Sequence, residues 1–206
     1  VDLDGTAKNE VELISRYREM AMQPEIESAI DDIVNEAICQ DDDGKIIQIV
    51  LDDLKQPDRI KQAIKTEFGN IIRMLNYNNM AQDIFRRYYV DGRMYYHIII
   101  DREKPIEGIK ELRYIDPRKI RKVREVQKDR DPKTGANIIK SLAEYYVYND
   151  RGTTTQTFTA NATQGLRIAP ESIINVNSGL MDAKNVFVIS YLHKAIKALN
   201  QLRMIE

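Results

Sequence analysis

FRRYYVDGRMYYHIIID, residues 85 to 101, runs the end of a helix directly into a strand, and this junction decides the fold class. Ile84, Phe85, Tyr88 and Tyr89 fall on one face at helical spacing. Asp91-Gly92 then supplies a stop, because glycine readily takes the left-handed conformation of a C-cap. From Met94 the period changes to two. Met94, Tyr96, Ile98 and Ile100 point one way and Tyr95, His97 and Ile99 the other, so both faces are largely apolar. This predicts a strand covered on both sides.

Upstream of the junction the pattern is helical. Glu10 to Met22 places Leu13, Ile14, Tyr17 and Met20 inward, and Gln23-Pro24 restarts a second helix with the stripe Ile26, Ile30, Ile33, Ala37 and Ile38. Proline suits a first turn, and Glu25 and Glu27 suit the positive end of the dipole. The two are expected to form a helical hairpin. Ile46 to Leu51 reads as a short strand, Pro57 to Leu75 as a long helix and Met80 to Tyr89 as the helix that ends at the junction.

Downstream the chain becomes extended. Strands are expected near Met94 to Ile100, Ile109 to Ile115, Ile120 to Val126, Leu142 to Val147, Thr153 to Thr159 and Ile173 to Val176. Turns are expected at Asp116-Pro117, at Lys128 to Asn137 and at Asn149 to Gly152. A last helix spans about Val188 to Glu206, with Ile189, Leu192, Ile196 and Leu199 on one face. Helices first and strands second imply an α+β fold, with N-terminal helices packed on a mainly antiparallel sheet and a long closing helix.

The 206 residues suffice for one sizeable domain, and no linker or repeat divides them. Lys plus Arg is 31 against 32 for Asp plus Glu, a balance unlike the strongly basic surface of a tight nonspecific DNA binder. No apolar run approaches the roughly 18 residues of a membrane span. A single cysteine, Cys39, excludes an internal disulfide framework and suits a reducing compartment. It lies near the end of an apolar stripe and reads as a small buried hydrophobe.

Reactive constellations are missing from the pattern. The nine glycines are scattered, and neither GxGxxG nor GxxxxGK[ST] occurs, so no phosphate-cradling loop is expected. Asp41-Asp42-Asp43-Gly44 clusters carboxylates, but the sixth and twelfth positions of an EF-hand loop would hold Ile46 and Asp52, so it reads as a solvated acidic turn. His97 and His193 have no partners at ligand spacing and read as structural. The eleven tyrosines, paired at 88-89, 95-96 and 145-146, read as packing residues. No cofactor and no enzymatic activity are expected.

One run offers a binding surface: Arg113, Arg118, Lys119, Arg121, Lys122 and Arg124, interleaved with strand residues and with Tyr114 placed to stack on a base. Asp116 and Glu125 interrupt it, and Asp41 to Asp43 supply an acidic partner across a subunit boundary. The run therefore reads either as nucleic-acid contact or as a solvated or intersubunit ion-paired face.

The junction segment, IKELRYIDPRKIRKVREV (109 to 126), YREMAMQPEIESAIDDIVNEAI (17 to 38), EYYVYN (144 to 149), SGLMD (178 to 182) and ISYLHKAIKALNQLRMIE (189 to 206) together closely resemble the portal vertex proteins of large contractile-tailed bacteriophages, the myovirus head-to-tail connectors. The blocks keep the family's order across nearly the whole chain. The resemblance implies a structural subunit of a twelve-membered ring at one capsid vertex, assembled in the host cytoplasm and retained in the virion. Its partners would be other copies of itself, the major capsid protein, terminase and neck proteins, with double-stranded DNA passing through the channel for packaging and ejection. Residues 1–206 resemble the outer wing domain, with the closing helix leading toward the stem. Because no methionine precedes Val1 and no stop signal precedes Glu206, the chain is expected to be a fragment without stem, clip and crown. The alternatives are a nucleic-acid-binding module acting through Arg113 to Arg124 and a metal-dependent hydrolase built on Asp41 to Asp43.

Overall fold

A computed structural model describes residues 10–130, 137–150, 165–182 and 187–205. Four helices come first: α1 (Glu10–Ala21), α2 (Pro24–Ala37), α3 (Asp58–Met74) and α4 (Tyr77–Asp91). The strands β1 (Arg93–Ile100), β2 (Ile109–Ile115), β3 (Ile120–Arg130), β4 (Asn137–Tyr148), β5 (Leu166–Ile168) and β6 (Ile173–Asn177) follow. A 3-10 turn at Tyr191–Ala195 then leads into α5 (Ile196–Ile205). The fold is α+β, as the order of patterns predicts.

The strands form two antiparallel three-stranded sheets, ordered β2-β1-β6 and β3-β4-β5, in place of the single sheet expected. Tyr95, Ile115 and Ile173 of the first face Ile120, Tyr146 and Ile168 of the second to make one core. The helices make another, in which Leu13, Tyr17, Met20, Ile30, Val34 and Val90 pack with Leu192, Ile196 and Leu199 of the closing segment. α1 and α2 form the expected hairpin, packed on α4. The helical layer and the paired sheets thus bury separate apolar sets, and α4 continues directly into β1 from one to the other.

Several expectations are corrected. Ile46 to Leu51 is not a strand; it joins no ladder among the described residues, and Ile47 and Val50 are exposed. Cys39 is exposed, because α2 ends at Ala37 and the chain leaves the helical core there. β1 is covered on both faces only at its start, where Met94 and Tyr95 are buried, whereas Ile100 at its end is 49% exposed. β3 and β4 pair from Ile120↔Tyr148 to Arg130↔Asn137 with a register shift between Gln127 and Lys128, so strand pairing extends into the stretch Lys128 to Asn137 expected as a turn. β5, with three residues, gave no sequence signal and is held by pairing with β4. The strand expected over Thr153 to Thr159 lies outside the described residues.

Candidate functional site, an anchoring junction and the basic run

Asp91, the last residue of α4, Gly92, and Arg93, the first residue of β1, are where both layers and the closing segment meet. Gly92 takes φ 70°, the left-handed cap, and its N–H donates to Tyr88 O at 2.9 Å. It also lies under the closing segment: a Cβ there would stand 2.8 Å from both Ile189 O and Ser190 Cα. The glycine is needed for its backbone conformation and for close approach of a second chain segment.

Asp91 is buried and receives two bonds from one guanidinium, Arg18 Nε at 2.8 Å and Nη2 at 2.7 Å. The same Arg18 donates Nη1 and Nη2 to Asp116 at 3.0 and 3.2 Å. Arg118 completes the cluster, donating its backbone N–H at 2.9 Å and its guanidinium to Asp116. Asp116 sits in the connection from β2 to β3, between the two sheets, so one arginine of the helical layer clamps both the junction and the sheet crossover. Burial opposes ionisation of Asp116, but the bonds from Arg118 and Arg18 outweigh it and hold the carboxyl well below its ordinary range. The Asp91 bonds, opposed by burial and reinforced by Asp116, raise Arg18 above its ordinary value.

Arg93 is buried beside them. Its Nη1 meets Glu10 Oε1 at 2.8 Å and its Nη2 donates to Val188 O, tying the start of α1 and the closing segment to β1. Its Nε is the buried side-chain polar atom without a partner among the described residues.

The closing segment is fastened along its entry. Ser190 Oγ donates to Tyr89 O at 2.9 Å and accepts from Leu192 N–H at 3.0 Å, capping the 3-10 turn. Ser178 N–H donates to Gly92 O at 2.8 Å, and its hydroxyl donates to Ile189 O at 2.6 Å. Tyr17 OH shares a 2.8 Å hydrogen bond with His193 Nδ1, and burial pushes the Tyr17 hydroxyl up to about 12. The Tyr191 ring stacks on Tyr89 at 5.3 Å between centroids. His193 is thus structural, and the Tyr88-Tyr89 pair packs against Tyr191. Ser190→Ala removes both the cap and the tie to α4 and is expected to lower stability by about 1–2 kcal/mol, measured by urea denaturation.

The six residues of the basic run are brought into no common patch. Arg113 lies on β2 and chelates Glu111 at 2.9 Å. Arg118 is in the Asp116 cluster, and Lys119 meets Asp150 at 3.0 Å. Lys122 and Arg124 share Glu144 across the β3-β4 pair at 2.7 and 2.6 Å. Alternation along β3 sends Arg121 to the other face, where partial burial pushes its guanidinium below its ordinary value. Carboxylates of the same chain therefore meet Arg113, Arg118, Lys119, Lys122 and Arg124. In the acidic turn, Asp41 Oδ1 accepts from Asp43 N–H at 3.0 Å and Lys45 N–H at 2.8 Å, a local turn closure with all three aspartates exposed.

Arg18, Asp91, Asp116, Arg93 and Ser190 were not singled out by sequence patterning, which marked only the Asp91-Gly92 stop and the Asp116-Pro117 turn. The one available signal was Arg18 next to the inward Tyr17, a long cation at the edge of an apolar helix face.

Comparison with known proteins matches the same blocks. The chain is 36% identical over 200 residues, 95% of its length, to the portal protein of Vibrio phage KVP40, and 33% identical over 92% of its length to the portal protein of Salmonella phage ViI. It spans 38% and 35% of those relatives. The family model for bacteriophage T4-like portal protein (Gp20) matches residues 10–206, from the first turn of α1 through the closing helix, and the chain belongs to that family.

Proposed function

We propose that this chain is the wing part of a portal subunit, a rigid flange that fixes the closing helix in position within a ring at the capsid vertex. The observation that carries this reading is the anchoring junction: Gly92, Ser190, Arg93 and Tyr17 hold residues 187–195 to α1, α4 and β1 by backbone contact, hydrogen bonds and ring stacking. A ring through which DNA is packaged and ejected must keep its channel on axis under load, and an outer domain tied to the channel-ward helix supplies that stiffness. Capsid protein, terminase and neck proteins are the partners of the whole portal, and this chain serves it mechanically, with no chemistry of its own.

The role we assign to the Arg113 to Arg124 residues is structural. Lys122 and Arg124 close the β3-β4 pair through Glu144, and Arg118 steadies Asp116. Cations already held by carboxylates release few counterions on meeting a phosphate backbone. Fluorescence anisotropy with duplex DNA at about 50 mM salt is expected to give the same weak binding for the unsubstituted chain and for Arg121→Glu with Arg124→Glu. Tight binding, steeply salt-dependent and lost in that variant, would restore the nucleic-acid reading.

Electron microscopy of the full-length protein tests the main reading. Closed rings with this domain at their periphery are expected. Monomers alone, under conditions where other family members assemble, would contradict it.

A further inference from the structure

Of the ties that fasten the closing segment to the helical layer, the reading on which this inference rests, the Tyr17-His193 bond differs in kind. Ser178, Ser190 and Arg93 hold the segment through hydroxyls, backbone groups and a guanidinium, none of which changes protonation between about pH 5 and pH 8. An imidazole does. His193 Nδ1 lies 2.8 Å from Tyr17 OH, with the two rings edge-on and 6.0 Å between centroids. The surroundings fix where the proton sits. Tyr17 is 0% exposed, and its oxygen accepts from the backbone N–H of Ser190. Among the described residues, the hydroxyl has one partner able to take its proton, His193 Nδ1. Nδ1 is therefore bare, and the neutral ring carries its hydrogen on Nε2.

A second proton, placed on Nδ1, turns this bond round. The Tyr17 oxygen then accepts twice, while its own hydroxyl proton is left in the helical core with no acceptor, and an unmet buried donor is the costly half of a broken hydrogen bond. The charges around the pair do not offset this. Arg93 of β1, paired with Glu10 of α1, acts on the Tyr17 hydroxyl as a nearby cation, and Lys194 and Lys197 follow His193 along the closing helix. α4 meets the segment through Tyr88 and Tyr89 against Tyr191, and α2 brings Glu25 to the groove that Lys194 lines. Among the described residues no carboxylate is paired with His193 to favour a charged ring. We propose that the His193-Tyr17 bond is a proton-sensitive latch: neutral His193 fastens the closing segment to α1, and protonation of Nδ1 loosens that segment while α4 stays folded. The sign follows from the neutral ring being the bonded form. The latch is closed above about pH 6.5, where an ordinary imidazole takes its proton, and opens as the pH falls below it.

The test is hydrogen–deuterium exchange of the full-length protein at about pH 7.5 and about pH 5.5, either side of the imidazole range, with each rate divided by the intrinsic amide rate at that pH. Protection of residues 187–199 is expected to fall about tenfold at the lower pH, measured against α4 as the internal reference. His193→Asn sets a carbonyl oxygen, an acceptor that does not titrate, near the place of Nδ1 and is expected to show no such fall. Tyr17→Phe, which removes the hydroxyl and its proton but keeps the ring, is expected to be independent of pH as well. Equal protection of the unsubstituted segment at the two pH values, the same fall in His193→Asn, or a fall shared equally by α4 overturns the latch and leaves the fastening standing. A closing segment already unprotected at about pH 7.5, while α4 is protected, overturns the fastening itself and the latch with it.

Discussion

Arg18→Met is expected to destabilise the protein by about 3–5 kcal/mol, the range for removing one partner of a buried ion pair. Four bonds leave with the guanidinium, and Asp91, 2% exposed, is left as a buried carboxylate with its bidentate partner gone. Asp116 retains Arg118, so the larger part of the loss belongs to Asp91. Methionine fills most of the volume of the arginine stem, which separates lost charge from lost packing. Arg18→Lys is expected to recover less than half of the difference, because an ammonium cannot fork onto two carboxylates at once. Urea denaturation of the three proteins measures these values.

The same cluster sets a pH dependence with a definite sign. Asp116 titrates lower in the folded chain than its unfolded value of about 3.9. Its contribution is therefore fully present above about pH 4 and is lost as the pH falls from there through the folded value. The exposed Glu107 and Glu111 carboxyls and the half-buried Glu144, each lowered first by hydrogen bonds from lysine or arginine, act in the same direction. Asp116→Asn is expected to be less stable near neutrality and to show a shallower loss between about pH 4 and pH 2. Equal slopes for the two proteins would contradict the assignment.

Gly92→Ala is the second large effect. A non-glycine residue at φ 70° costs about 1 kcal/mol, and a Cβ 2.8 Å from backbone atoms of Ile189 and Ser190 forces a shift costing about 1–3 kcal/mol more. Gly44 is the internal control: it has φ 73°, and nothing lies within 4 Å of a Cβ there. Gly44→Ala is expected to cost only the conformational part. The difference between the two variants isolates the contact between the junction and the closing segment.

The junction was legible because it is written locally. The helical spacing up to Tyr89, the Asp91-Gly92 stop and the alternation from Met94 each depend on a few adjacent residues, and they appear in the structure as α4, a left-handed cap and β1. The long-range part was not legible. That Gly92 lies against Ile189, nearly a hundred residues away, leaves no trace in local spacing, and the Arg18-Asp91-Asp116 clamp joins three positions whose neighbours say nothing of one another. Ile46 to Leu51 failed for the complementary reason: a run rich in β-branched apolar residues makes a segment able to be a strand, but only a partner makes it one. The closing helix was expected from Val188, yet Ser190 caps a 3-10 turn and the regular helix begins at Ile196. For the basic run, composition revealed the cations but not Glu144 and Asp150, which the hairpin brings to them.

Hydrogen–deuterium exchange on assembled full-length rings tests most directly whether the closing helix is fastened to the α4-β1 junction as one mechanical piece. The account predicts that amides of residues 187–199 are protected to the same degree as those of α4 and lose protection together with them in Gly92→Ala. Fast exchange of the closing segment while α4 stays protected, unchanged by the substitution, would contradict it.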